Sequence, residues 1–203
     1  MKPRSAPSDS VNPAIPRQPT ALAFLATIKA ARPPVFRSKV VRDLACILDV
    51  NPAVLSWQTG AEPFQLGRAG YVADIVVFDD CGNRWLLDAP DRGKSAKTVE
   101  SAAASAGHKY RVVSHEEIYD GFRLRNARDL LRYGNYTVSL SDRVKLLSML
   151  DAEGALTLAN CLEVLRHAQS VAIVASMILH GFIEVDLDDA LIGPETMVRR
   201  IRR

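Results

Sequence analysis

The segment from Tyr71 to Pro90, Y-V-A-D-I-V-V-F-D-D-C-G-N-R-W-L-L-D-A-P, constrains the fold of this chain more than any other segment. Two apolar runs, Ile75 to Phe78 and Trp85 to Leu87, flank a turn whose Asp, Gly and Asn residues favour chain reversal. The segment therefore predicts an antiparallel β-hairpin. One carboxylate opens the first strand and another closes the second, so we expect Asp74 and Asp88 to lie side by side.

Two neighbouring carboxylates offer the hard oxygen ligands that divalent cations prefer, and a metal-dependent nuclease is one use of such a pair. A nuclease site also needs a lysine beside the second carboxylate, to orient the attacking water and stabilise charge on the phosphate. Pro90 stands at that position, and proline supplies neither a side-chain donor nor a backbone N–H. The alternative interpretation is that Asp74 and Asp88 are surface aspartates that cap strands beside polar turns.

Composition and charge set the class of protein. The 203 residues are 48% apolar and 24% charged, which suits a packed core in one large or two small domains. No apolar run reaches the ~20 residues of a membrane helix. The three cysteines are widely separated and odd in number, so they predict reduced thiols in a cytoplasmic protein. Residues 1–20 carry a net charge of +2 and the last five residues +4, so the rest carries −3. Basic ends of this kind suggest contact with phosphates.

The order of the predicted elements indicates two domains after a tail. Residues 1–20 are rich in Pro and Ser, which predicts a disordered tail. Residues 21–137 are predicted to form an α/β domain with a mixed sheet, because helical and strand patterns alternate there. Its helices are predicted over 20–31, 38–49, 96–106 and 122–133, its strands over 54–57, 75–78, 85–87 and 110–113, and an acidic turn over 115–119. Residues 138–203 are predicted to form a winged-helix-like domain, with helices over 141–152, 158–166 and 170–181 followed by two short β segments.

Basic residues concentrate in the second half of the predicted α/β domain. Residues 92–132 contain nine Lys or Arg and five Asp or Glu. Arg125, Arg128 and Arg132 fall on one face of a predicted helix, where they would grip a DNA backbone or form a solvated surface with i,i+4 ion pairs. The candidate DNA contacts over the whole chain are Lys94, Lys97, Lys109, Arg111, Arg125, Arg128, Arg132, Arg199 and Arg200. By contrast, residues 139–198 hold three basic and nine acidic residues, so the winged-helix-like region favours contact with protein over DNA reading.

Four segments resemble, in order, the TnsA-like transposon endonucleases. They are S-K-V-V-R-D with the following D-V-N-P-A-V-L-S-W, Y-V-A-D-I-V-V-F leading to W-L-L-D-A-P, K-Y-R-V-V-S-H-E-E-I, and G-F-I-E-V-D-L-D-D-A-L-I-G-P-E-T-M-V-R-R. The resemblance covers roughly residues 21–203. It implies a restriction-endonuclease-like domain followed by a winged-helix-like domain. It also implies action on transposon ends together with a DDE-type transposase and an AAA+ regulator.

The resemblance further implies a degenerate catalytic site. Members of the family place a glutamate on the early helix, an aspartate in a P-D step, and E/Q-x-K at the end of the next strand. Val41 stands at the glutamate position, Asp74 keeps the aspartate, and Asp88-Ala89-Pro90 replaces the E-x-K. The two aspartates would hold Mg²⁺ only weakly, through its water shell.

The expected function is therefore that of a catalytically impaired, TnsA-like protein that binds DNA and partner proteins in transposition. One alternative is an active Mg²⁺-dependent endonuclease that uses Asp74, Asp88 and a lysine displaced to Lys94 or Lys97. The other alternative is a transcriptional regulator that uses the same scaffold for DNA binding alone.

Overall fold

A computed structural model describes residues 26–93, 96–166 and 169–201 of the chain. Its helices are α1 (Lys39–Val50), α2 (Ala96–Ser105), α3 (His115–Tyr119), α4 (Arg123–Leu131), α5 (Leu140–Glu153), α6 (Leu158–Leu165) and α7 (Ser170–Leu179). Its strands are β1 (Val54–Thr59), β2 (Phe64–Leu66), β3 (Ala69–Tyr71), β4 (Ile75–Asp79), β5 (Arg84–Asp88), β6 (Lys109–Val112), β7 (Ala155–Thr157), β8 (Ile183–Glu184) and β9 (Met197–Arg200). A 3₁₀ turn spans Pro90–Arg92.

A mixed four-stranded sheet in the order β1-β4-β5-β6 organises the first part of the chain. The first three strands are antiparallel neighbours, while β6 runs parallel to β5. Because parallel strands cannot be joined by a tight turn, α2 forms the crossover between β5 and β6. The α/β class and the mixed sheet predicted from the sequence are confirmed. The pairing of Ile75 with Leu87 also places the start of β4 beside the end of β5.

Both faces of this sheet are covered. Ile75, Val77 and Leu87 point to one face, where they join an apolar core with residues of α1 and α4. Val76 and Leu86 point to the other face and pack against α2 and the β2–β3 hairpin. That hairpin lies in a segment expected to be a loop. Its short turn is formed by Gly67 and Arg68, and Gly67 has a positive φ of 63°.

Two sequence expectations in this part are wrong. Residues 26–31, predicted as the end of a helix over 20–31, instead form a bent, non-helical segment in which Ala30 makes an isolated parallel bridge to Trp57 of β1. The N–H of Trp57 donates to the carbonyl of Lys29 (3.0 Å), and the N–H of Ala31 donates to the carbonyl of Trp57 (2.8 Å). These two hydrogen bonds pair the N–H and the carbonyl of Trp57 on the edge strand β1, where they would otherwise be unpaired. Residues 20–25 and the predicted tail lie outside the described residues.

The acidic turn expected over 115–119 is the short helix α3. Ser114 accepts a hydrogen bond from the N–H of Glu117 (3.1 Å), and the Glu117 carboxylate accepts one from the N–H of Ser114 (2.8 Å). This reciprocal pair is a capping box, which satisfies backbone donors at the start of the helix. α1, predicted over 38–49, begins with a simpler cap, in which the Ser38 hydroxyl accepts from the N–H of Val41 (3.3 Å).

The second part of the chain contains α5, α6 and α7 with a three-stranded sheet in the order β7-β9-β8. The three predicted helices and the two terminal β segments are present, and β7 is an additional strand that pairs with β9. Among the described helices, none alone is long and apolar enough to span a membrane; α6 and α7 meet that criterion only as a pair, bent by 119°.

The two parts of the chain share an apolar core. Ala175 and Leu179 of α7 belong to the same buried cluster as residues of α1 and α4. The buried side chain of Asn126 on α4 reinforces this junction. Its amide donates to the carbonyls of Leu187 (2.9 Å) and Ala190 (2.8 Å), and its oxygen accepts from the N–H of Ile192 (3.0 Å). The segment between β8 and β9 is thereby fixed to α4.

Gly134→Ala tests the packing of residues 26–31 against the turn that follows α4. A Cβ at Gly134 would lie 2.7 Å from the Cβ of Ala26 and 3.1 Å from Cγ2 of Ile28. We expect the variant to lose about 1–3 kcal/mol of unfolding free energy in urea, as overpacked sites do. Gly193→Ala is the matched control, because its nearest contact would be 3.8 Å away. Equal loss in both variants would contradict the close approach at Gly134.

Candidate functional site

The hairpin brings Asp74 and Asp88 into direct contact. The backbone N–H of Asp74 donates to Oδ1 of Asp88 at 2.8 Å. Asp74 is 7% exposed and Asp88 is fully buried, so neither is a surface aspartate capping a strand end. Buried carboxylates are costly unless they are paired and hydrogen-bonded. The partners of these two residues therefore determine what the site can do.

Asp74 is saturated by donors. Nε of Arg37 donates to Oδ1 (2.8 Å) and Nη2 to Oδ2 (2.7 Å), a bidentate pair. The backbone N–H of Ala89 donates to Oδ2 (3.0 Å), and Nη1 of Arg92 donates to Oδ1. Each carboxylate oxygen thus accepts two hydrogen bonds, which fills its lone-pair sites.

The turn after β5 supplies part of this arrangement. Pro90 stands at the start of the 3₁₀ turn, where its fixed φ favours the bend and its missing N–H is no loss. The turn carries Arg92 back to the carboxylates. It also presents Asp91, which accepts from Nη1 (3.1 Å) and Nη2 (2.8 Å) of Arg37. Pro90 therefore begins a turn that delivers an arginine to the carboxylates.

Asp88 is held mainly by two tyrosines. The hydroxyls of Tyr71 and Tyr110 both donate to Oδ2, the latter at 2.7 Å. Burial and the hydrogen bond to Asp88 raise the pKa of Tyr71 to about 12, and the same causes raise the pKa of Tyr110. Both hydroxyls therefore stay protonated and act as donors. Nη1 of Arg92 lies 3.7 Å from Oδ1, and its guanidinium lies 4.8 Å from the centre of the Tyr71 ring.

The electrostatic balance keeps Asp74 ionised. Burial alone would raise its pKa, but the hydrogen bonds from Arg37 and Ala89 and the charge of Arg92 outweigh burial and lower the pKa. Three carboxylates (Asp74, Asp88 and Asp91) face two guanidiniums, so the local charge is about −1 instead of −3. The arginines thus provide most of the positive charge that a divalent cation would bring.

The third position of the expected site offers no ligand. Val41 lies on α1 and is buried in the apolar core against the sheet. The structure also gathers Asp79, Asp80 and Cys81 at the tip of the hairpin. There Asp79 already accepts hydrogen bonds from the backbone N–H and the side chain of Asn83 and from Nε1 of Trp85, which stabilise the turn. This tip is an ordinary Asp-rich turn.

Ion pairs neutralise half of the described candidate DNA contacts. Arg111 pairs with Glu117 (2.6 Å), Arg132 with Asp129 (3.6 Å) and Arg200 with Asp151. Arg128 donates to the buried carboxylate of Asp43, which also accepts from the Tyr119 hydroxyl. Arg128 therefore does not form a common cationic face with Arg125 and Arg132. Its ion pair with Asp43 instead links α4 to α1.

The remaining candidate cations are exposed. Lys97, Arg125 and Arg199 have no ion-pair partner among the described residues. Lys109 contacts Oδ1 of Asn83 (2.5 Å), and its Nζ lies 5.3 Å from the centre of the Trp85 ring. Lys94 lies outside the described residues. Arg125 is therefore the one member of the arginine row whose charge is still available to a phosphate. Among the described candidates, Lys97, Lys109 and Arg199 are the others.

Sequence reasoning missed the residues that define the site. Arg92 follows Asp88 at i+4, and Tyr71 directly precedes the hairpin, so local signals existed for both. Tyr110 could be placed only through the parallel register of β5 and β6, which pairs it with Leu86. Arg37 is 37 residues from Asp74 in the chain, and no local pattern connects the two.

Comparison with known proteins does not assign this geometry to a family. No protein-family model and no curated protein matches the chain. The chemistry of the carboxylate pair and of the exposed cations therefore carries the functional conclusion.

Asp74→Asn tests the charge balance of the hairpin. Because the folded-state pKa of Asp74 is lowered, its ionisation stabilises the fold above the unfolded-state pKa of about 3.9. That contribution disappears as the pH falls through the folded-state pKa. We expect the variant to lose about 1–3 kcal/mol of unfolding free energy at pH 7, since the Asp74 carboxylate is buried and its two partly exposed guanidinium partners lose their counter-charge. At pH 2.5 the difference from the unmodified chain should shrink.

Urea unfolding at the two pH values measures this effect. Asp129→Asn is the matched control, because that carboxylate is exposed and its partner Arg132 lies 3.6 Å away. The control should change by less than about 0.5 kcal/mol at both pH values. A loss for Asp74→Asn that is independent of pH would show that its charge does not stabilise the fold.

Proposed function

We propose that this chain is a TnsA-like protein of restriction-endonuclease-like fold that does not cleave DNA and acts by binding DNA and partner proteins. The observation that carries the proposal is that two arginines occupy both oxygens of Asp74, while two tyrosine hydroxyls occupy Oδ2 of Asp88. The carboxylates of a nuclease hairpin are free to bind a metal ion; here they serve as acceptors that stabilise the fold.

Metal binding would require this network to be dismantled. Mg²⁺ needs oxygen ligands at 2.0–2.1 Å in near-octahedral geometry, as a general rule. The oxygens of Asp74 already accept four hydrogen bonds, two of them from Arg37 at 2.7–2.8 Å. Displacing Arg37 and Arg92 would leave their guanidiniums beside a divalent cation, where like charges repel. A weakly held Mg²⁺ is therefore disfavoured at this hairpin.

Among the described residues, the site also lacks a group that could activate water. Arg37 and Arg92 keep their protons at neutral pH, so neither serves as a general base. The raised pKa values of Tyr71 and Tyr110 likewise keep both hydroxyls protonated. Lys97 lies on α2 and is exposed, without a contact to either aspartate among the described residues. We therefore propose a pseudoenzyme in preference to an endonuclease with a displaced lysine.

The order of elements supports the proposed fold. A helix, three antiparallel strands, a crossover helix and a parallel fourth strand build the first sheet, with the carboxylate pair at its central hairpin. In the second part, the order α5, β7, α6, α7, β8, β9 with the sheet β7-β9-β8 fits a winged-helix-like arrangement. Both assignments are part of the proposal.

The winged-helix-like part is poorly placed to read DNA. Recognition in such domains uses the second helix of the helix-turn-helix, which corresponds to α7. Eight of the ten residues of α7 are buried, and Ala175 and Leu179 pack into the core shared with α1 and α4. The segment between β8 and β9 is held by Asn126 and by the ion pair of Arg123 with Asp188. DNA contact is therefore proposed for exposed cations and not for α7.

The proposed partners follow from the resemblance and from charge. Lys97 and Lys109 lie on neighbouring elements of the first part, since α2 packs against β6. Such cations bind the phosphate backbone without reading sequence. The resemblance extends the proposal to a DDE-type transposase and an AAA+ regulator, which would supply target choice and cleavage.

A nicking assay tests the loss of catalysis. Supercoiled DNA incubated with the full chain and Mg²⁺ or Mn²⁺ should stay intact, because neither a free metal ligand pair nor a base is present. Calorimetric titration with Mn²⁺ should likewise give no binding in the millimolar range. Nicking that disappears in Asp74→Ala would overturn the proposal and establish the endonuclease.

Arg37→Gln with Arg92→Gln provides the matched variant for metal binding. Removing both guanidiniums leaves three adjacent carboxylates without counter-charge, so Mn²⁺ should bind and raise the melting temperature of this variant. Arg111→Gln with Arg200→Gln removes the same charge from exposed ion pairs elsewhere and should not respond to Mn²⁺. An equal response of both double variants would argue against a role of the arginines in excluding metal.

Neutralising Lys97 and Lys109 tests the proposed DNA contact. Each phosphate contact contributes about 0.9 to the slope of log affinity against log salt concentration. Lys97→Gln with Lys109→Gln should therefore weaken binding to duplex DNA and make the slope shallower by about 2. Fluorescence anisotropy over a salt series measures both quantities. Arg200→Gln, whose charge is already paired with Asp151, is the control and should bind as the unmodified chain does.

A further inference from the structure

A cleft of about 440 Å³ lies between α4 of the first part and α6 and α7 of the second. Apolar side chains form most of its wall: Leu158, Leu162, Val171, Val174, Ile178 and Leu191. Two of these aliphatic side chains are exposed to solvent: Val171 is 51% exposed and Leu191 is 37% exposed. The cleft is distinct from the carboxylate hairpin, none of whose residues lines it.

The rim of the cleft is cationic. Arg125 lines it, is exposed, and has no ion-pair partner among the described residues. Arg132 also lines it, and its partner Asp129 lies 3.6 Å away with most of both side chains exposed. Arg125 and Arg132 are two helical turns apart on α4, a rise of about 10.5 Å. The rim therefore carries a net charge of +1, with one guanidinium unengaged.

We propose that this cleft binds a small amphipathic anion, specifically an aliphatic carboxylate. The volume falls within the range of about 300–1,000 Å³ that small-molecule sites occupy. A carboxylate matches the planar fork of the Arg125 guanidinium and forms paired, charge-assisted hydrogen bonds with it. The hydrocarbon chain then covers Val171 and Leu191, whose apolar surface is otherwise in contact with water.

Charge and polarity argue against other ligand classes. An organic amine would place its positive charge beside Arg125 and Arg132 without a free carboxylate to receive it. Inorganic phosphate would find a guanidinium but would leave the exposed Val171 and Leu191 uncovered. Only a ligand with an anionic head and an apolar body satisfies both features of the cleft.

Isothermal titration of the full chain with octanoate and decanoate tests the proposal. Each buried methylene strengthens transfer from water by about 0.8 kcal/mol, close to fourfold in affinity. Decanoate should therefore bind about fifteenfold more tightly than octanoate, and decylamine, with the same chain and the opposite charge, should not bind. Equal binding of decanoate and decylamine would overturn the proposal, because charge would then play no part.

Two exposed substitutions locate the binding site. Arg125→Gln should weaken decanoate binding about tenfold, since a charge-assisted pair is lost. Val171→Glu should abolish binding by placing a carboxylate on the apolar wall. Lys97→Gln, which removes an exposed cation outside the cleft, should bind decanoate as the unmodified chain does. Unchanged binding in Arg125→Gln would overturn the assignment.

Sedimentation distinguishes the ligand from a second copy of the chain. If decanoate does not bind and the chain forms dimers that Val171→Glu dissociates, the cleft is a self-association surface and the proposal fails. The test is independent of the proposed loss of nuclease activity, because no hairpin residue takes part in it.

Discussion

Charge compensation at Asp74 and Asp88 is the constraint on which the first part of the chain depends. Asp88 ends a central strand and is fully buried, so its carboxylate cannot be solvated by water. Leaving such a charge unpaired costs several kcal/mol, an amount comparable to the whole stability of a domain. Its partners and those of Asp74 come from Arg37, which lies two residues before α1, from β3, from β6 and from the turn after β5. The hairpin therefore fixes the positions of four other elements.

A second buried polar group, Asn126, plays the same part at the junction of the two regions. Its three hydrogen bonds hold the segment between β8 and β9, while the apolar side of α7 packs into the core with α1 and α4. An amide buried with all of these partners specifies one arrangement, because any shift leaves donors unsatisfied. The helix that a winged-helix domain would offer to DNA is thereby committed to the interior.

The sequence was sufficient wherever a local pattern decides the structure. The two apolar runs around a polar turn predicted β4 and β5, the helical pattern over 38–49 predicted α1, and the pairing of hairpin ends predicted that Asp74 and Asp88 would meet. The sequence was not sufficient where contacts between residues far apart in the chain decide the structure. Residues 26–31 are not helical because their backbone groups pair with Trp57 at the edge of β1. Arg37 contacts Asp74 only because the folded chain brings the two together. The capping box at Ser114 was a local signal for α3 that was interpreted as a turn.

The pairing of the two aspartates with arginines has a consequence for stability. Carboxylates that share a metal site repel one another until the cation binds, so the stability of such a site depends on metal concentration. Here the positive charge belongs to Arg37 and Arg92, which are part of the chain and cannot dissociate. The negative charge of the carboxylates is thus compensated at any metal concentration, but it is already paired with the two arginines. Among the described residues, Lys97 and the cleft beside Arg125 still present unpaired charge and exposed apolar surface, and it is there that we propose binding of other molecules.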